Sequence, residues 1–85
     1  MQRMERASSL AIRARGHIEA DGLRGNELIR WFERAGPSDV CSRSGKWRCR
    51  CYGVETAATT PEAAIIAWCD AIDSLCDELI GEPSR

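Results

Sequence analysis

The sequence predicts a small α+β domain: two N-terminal helices, an antiparallel β-hairpin of two to three strands, and a long amphipathic C-terminal helix. Three observations carry that prediction. Apolar residues recur at three- and four-residue steps from Met4 to Ile18 and again beyond Pro61. Between Val40 and Val54 they alternate at period two instead. Gly36-Pro37 and Pro61 stand where one period gives way to the other, and proline cannot continue a helical hydrogen-bond ladder.

The first helix places Met4, Ala7, Leu10, Ala11, Ala14 and Ile18 on one stripe, and Asp21-Gly22 supplies its stop through a residue free to take positive φ. The second is expected from about Asn26, its N-terminal cap, to Ala35, with Leu28, Ile29, Trp31 and Phe32 as its apolar face. Gly36 suits the left-handed position after its last turn, and Pro37 closes it. Val40 and Cys41 begin a strand, SRSG turns the chain, and a second strand runs from Lys46 to about Val54. In that strand Trp47, Cys49 and Cys51 share the core side, while Lys46, Arg48, Arg50 and Tyr52 share the other. Gly53 marks a bulge or bend, and Glu55 to Ala58 either extend the ladder or cross over.

The last helix is the best specified. Thr59 or Thr60 caps it, Pro61 occupies a first-turn position where no N–H is needed, Glu62 suits the positive end of the dipole, and Gly81 stops it. Ile65, Trp68, Cys69, Ile72, Leu75, Cys76 and Leu79 form its buried stripe. Asp70, Asp73 and Asp77 are left on the opposite face as an acidic patch. One core should gather Trp31, Phe32, Trp47 and Trp68. With 85 residues and 44% hydrophobic content, residues 1–85 make a single domain, with 81–85 expected to fray.

Net charge is only −1, yet residues 1–50 hold eleven Lys and Arg against six Asp and Glu, whereas residues 51–85 hold one Arg against seven acids. Either the acidic helix packs beside basic elements of the same fold, or two faces of opposite sign meet different partners. No apolar run reaches the roughly 18 residues of a membrane span, and the N-terminal stretch is too charged for a secretory h-region. The expected location is the cytoplasm, with no membrane partner. Five cysteines, an odd number, fit reduced thiols better than a disulfide framework.

Zinc has candidate ligands in Cys41, Cys49, Cys51, Cys69, Cys76 and His17, but not the paired knuckle spacing of structural sites. Buried thiols acting as small hydrophobes are the favoured reading, with no cofactor and no metal. His17 is the only histidine, and no acid pair or phosphate-cradling loop accompanies it, so no enzyme is expected. The candidate binding residues are Arg43, Lys46, Arg48, Arg50 and Tyr52 on the hairpin, with Asp70, Asp73 and Asp77 as the alternative patch. A protein partner is the first reading for them. The second is a nucleic-acid-binding module, zinc-stabilised or not, using the same basic face.

The segment GKWRCRC followed by TTPEAAIIAW resembles the hairpin-then-helix pattern of small prophage-encoded proteins, among them the restriction-alleviation family and phage αβα-sandwich domains. Trp47, Thr60, Glu62, Ala64, Ile65 and Trp68 are the matching positions. The chain lacks the paired CxxC knuckles of the restriction-alleviation proteins, so their zinc does not carry over. The resemblance implies a mobile-element accessory protein that binds a host protein or complex, and inhibitors of host defence, anti-CRISPR proteins included, are one such class.

Overall fold

A computed structural model describes residues 2–80, with side-chain surroundings from 5 to 76. The side chains of Met4, Asp77 and Leu79, the stop at Gly81 and the tail 81–85 lie outside the described residues. The element order is α1 (Gln2–Glu19), α2 (Gly25–Ala35), β1 (Ser38–Arg43), β2 (Lys46–Cys51), β3 (Val54–Ala58) and α3 (Pro61–Ile80). This is the α+β arrangement the periodicities predict. The three strands form one antiparallel meander with β2 in the centre.

Both hairpins close through two-residue turns, Ser44-Gly45 (φ 53° and 78°) and Tyr52-Gly53 (φ 52° and 78°). Positive φ at both central positions is the turn whose twist matches the flanking strands. Gly53 is therefore the second residue of a tight turn, not a bulge, and Glu55 to Ala58 belong to a third strand.

Strand alternation sorts the sheet into two faces. Val40, Cys49 and Cys51 are buried on the inner one, where α3 lies over β2 and β3 and α2 lies beside β1. Thr56 donates its hydroxyl to the Ala64 carbonyl at 2.8 Å, tying β3 to the first turns of α3. Helix α1 packs chiefly along α3. Its buried stripe of Ala7, Leu10, Ala11 and Ala14 is mostly alanine, so the two backbones approach closely, and the Cys69 thiol donates to the Ala11 carbonyl.

At the centre, Phe32 and Trp68 meet edge to face with centroids 5.2 Å apart, and both are fully buried. The Trp68 indole N–H donates to the Cys51 carbonyl at 3.0 Å, which satisfies a buried donor. Trp31 and Trp47 are only partly covered, so the four large aromatics do not form one sealed cluster. Trp31 sits between α1 and α2, with His17 against its edge at 4.5 Å and the Arg13 guanidinium 5.7 Å from its ring centroid.

Two helix ends differ from their sequence reading. Asn26 does not cap α2: the N-cap position is Arg24, which makes no side-chain capping bond, and the Gly25 N–H donates to Glu62 Oε2 at 2.6 Å. Glu62 lies in the first turn of α3, so one carboxylate serves the positive ends of two helices. Thr60 caps α3 locally through Ala63 N–H at 3.1 Å. Gly36, at φ −162°, is extended and does not take a left-handed turn. Its lack of a side chain matters for space, because a Cβ there would stand 2.8 Å from Leu10 Cδ2.

The shared carboxylate is testable. Glu62→Ala should lower unfolding free energy by about 1–2 kcal/mol in urea denaturation, and Glu62→Gln, which keeps an acceptor but loses the charge, by less. Equal stability of Glu62→Ala and the parent protein would mean that the Gly25 amide has another partner.

Candidate functional site

Among the described residues no helix covers the outer face of the sheet. Asp39, Cys41 and Arg43 of β1, Lys46, Arg48 and Arg50 of β2, and Glu55 and Ala57 of β3 all point to this side, and every one is exposed. Register places Arg50 between Asp39 and Glu55, Arg48 between Cys41 and Ala57, and Arg43 opposite Lys46. Four of the predicted binding residues, Arg43, Lys46, Arg48 and Arg50, are thus brought together.

Among the described residues the one ion pair on this face joins Arg48 Nη1 to Glu55 Oε2 at 3.6 Å, diagonally rather than along the register. An exposed pair of that length contributes little. Arg43 and Lys46 are like charges placed directly across a tight hairpin, an arrangement that opposes pairing by a few tenths of a kcal/mol or more. The pairing is held by the turn and the inner face, and the two cations remain available to an external anion.

Tyr52 is not on this face, contrary to the alternation reading. It occupies the first central position of the β2–β3 turn with a left-handed backbone, and its ring turns back to the helical side. There it packs at the core edge, with Cε2 3.7 Å from where a Gly36 Cβ would stand. A bulky residue at positive φ costs about 1–2 kcal/mol, which is why alternation gave no warning of it. The basic sheet face consequently has no aromatic ring.

The acidic patch is also rearranged. Arg15 of α1 donates from Nη2 to Asp70 Oδ1 at 2.7 Å and from Nη1 to Asp73 Oδ2 at 2.9 Å. Both carboxylates are therefore engaged within the fold by a helix more than 50 residues away in sequence. The charge asymmetry between the two halves of the chain is in this part internal neutralisation. Asp77, the third member, has its side chain outside the described residues.

The thiols divide by position. All five cysteines are free; Cys41 is exposed on the outer sheet face, whereas Cys49, Cys51 and Cys69 are buried together. Burial pushes the Cys51 and Cys69 thiols up to about 11, and burial with the neighbouring Cys51 and Cys69 raises Cys49 further. Metal ligation requires thiolates, which this apolar setting disfavours. Among the described residues no three His, Cys, Asp or Glu side chains converge on a point where an ion could sit, so the donors do not fit the zinc alternative. His17 is held by Asp21, with Nδ1 and Oδ2 2.7 Å apart, and by the Trp31 edge.

No described helix is long and apolar enough to cross a membrane. No family model matches the chain, and comparison with curated proteins and with solved structures finds no match.

Proposed function

We propose that this protein acts by binding, without catalysis, and that its bare outer sheet face docks an acidic surface of a protein partner. The observation that carries the reading is the uncovered register of Arg43, Lys46, Arg48 and Arg50 on one side of a rigid three-stranded sheet. Arginine is enriched among binding hot spots, and a sheet fixes the spacing of its side chains. The resemblance of the hairpin and α3 to small prophage-encoded proteins extends the proposal to a host protein in the cytoplasm, with a defence complex as one such target.

Dimensions constrain how such a partner would bind. Three strands at about 4.8 Å spacing and six residues at about 3.4 Å rise give roughly 300 Å². A standard interface takes about 800 Å² from each partner. The contact must therefore spill beyond the sheet face, over one of its turns or past the edge of β1.

A nucleic acid is the second reading, favoured by the opposed Arg43 and Lys46 at the hairpin tip. Asp39 and Glu55 beside Arg50, and the absence of Tyr52 from this face, favour the protein partner, because single strands bind through stacked aromatics.

The Arg48→Glu/Arg50→Glu variant separates the readings. Affinity purification from the native host should identify a partner, and its affinity for the purified parent protein and variant is then compared. A loss of about a hundredfold or more supports protein docking. Unchanged partner affinity, with DNA or RNA retention lost, would transfer the face to nucleic acid. In that case log affinity should fall against log salt with a slope no steeper than about −4, set by four cations.

A further inference from the structure

On the helical side, away from the bare sheet face, a cleft of about 290 Å³ opens between α1, the end of α2 and the β2–β3 turn. Its lining is Arg6, Ser9, Leu10, Arg13, Ala35 and Tyr52. Arg6, Ser9 and Arg13 lie on one side of α1 at spacings of three and four residues, so the two guanidinium-bearing positions flank the serine hydroxyl along about 10 Å of helix axis. Leu10 and Ala35 supply an apolar part, and Tyr52 adds an aromatic ring with its phenolic hydroxyl.

Three further features distinguish this cleft from a chance groove. Arg13 is steadied by the Trp31 ring. Among the described residues neither Arg6 nor Arg13 has a carboxylate within ion-pair distance, although Arg15 on the same helix holds two. Tyr52 reaches the cleft only through its strained left-handed backbone, at a turn position that asparagine, aspartate or glycine would fill without strain.

We propose that this cleft is a binding site for a phosphate group. Two arginines seven residues apart on α1, with a serine and a tyrosine in the same lining, match an anion offering several acceptor oxygens in three dimensions better than a planar carboxylate. The volume takes one phosphate and a small attached group but not a nucleotide, since pockets for larger ligands start at about 300 Å³ and are more enclosed. The apolar Leu10 and Ala35 with the Tyr52 ring give the attached group a place to lie.

The test uses inorganic phosphate and phenyl phosphate as probes, followed by amide chemical-shift changes at constant ionic strength and by calorimetry. Both should perturb the amides of Ser9, Leu10, Ala35 and Tyr52 and leave those of Arg48 and Arg50 in place. Tighter binding of phenyl phosphate assigns the site to a phosphate monoester, and equal binding assigns it to free phosphate; each supports the proposal. Arg6→Gln should weaken either probe about tenfold with the thermal midpoint preserved, because that side chain is exposed. Phenyl phosphate affinity should fall roughly fourfold from pH 7.5 to 5.5 as the dianion, with its second pKa near 6, takes up a proton. Absence of perturbation at the cleft, unaltered affinity in Arg6→Gln, or succinate binding as tightly as phosphate would overturn the proposal.

Discussion

Replacing Trp68 with alanine is expected to remove about 3–5 kcal/mol of stability through the cavity alone, with about 0.5–1.5 kcal/mol more for the lost indole hydrogen bond. An 85-residue domain has roughly 4–13 kcal/mol in total, so the variant should be partly or wholly unfolded at room temperature. Trp68 is fully buried, stacks edge to face on Phe32 and donates to the last carbonyl of β2, so one side chain joins α3, α2 and the sheet. Trp68→Phe separates the contributions: it retains an aromatic ring and loses the N–H, and should cost about 1–2 kcal/mol. Thermal and urea denaturation read both. A Trp68→Ala midpoint within about 2 °C of the parent would contradict this placement, since each kcal/mol shifts a domain of this size by about 4–8 °C.

The second large effect is alkaline unfolding. At neutral pH Cys49, Cys51 and Cys69 are protonated whether the chain is folded or not, so their contribution is fully present there. Above pH 9, the ordinary thiol value, the unfolded chain gives up three protons that the folded chain keeps, because burial holds all three pKa values higher. The unfolded state then binds fewer protons, and stability falls with pH by up to about 4 kcal/mol per pH unit. The loss continues until pH passes through the folded values of about 11 for Cys51 and Cys69 and the higher one for Cys49. A protein of about 8 kcal/mol should reach its midpoint near pH 11. Circular dichroism against pH under reducing conditions measures the transition. Cys69→Ala should flatten its slope by about a third, and an unchanged slope would show that this thiol ionises equally in both states.

Much of the architecture was legible because local chemistry and tertiary packing agree. Thr60, Pro61 and the Ile65–Trp68–Cys69–Ile72 stripe mark α3 with cap, first turn and buried side together, and all four stripe residues are buried. Period-two alternation likewise sorted Cys49 and Cys51 inward from Lys46, Arg48 and Arg50 outward. What escaped was non-local. Glu62 replaces a local cap at α2 from 37 residues away, and Arg15 neutralises Asp70 and Asp73 only because α1 lies along α3. Tyr52 misled for a different reason. Tyrosine favours strands, so the run CRCY reads as continuous ladder, and the parity of every later position shifts once the chain turns there. The same turn took the aromatic ring from the basic face and gave it to the cleft beside Arg6 and Arg13.

The lengthwise contact of α1 with α3 has a consequence for biosynthesis. During translation α1 precedes α3, and its alanine stripe must wait for that later helix. Until Trp68 and Ile72 have left the ribosome, Leu10, Leu28 and Phe32 have no lid, and the nascent chain exposes them to chaperones and proteases. Closure is then a late, concerted event in which α3 brings the sheet and the alanine stripe of α1 together.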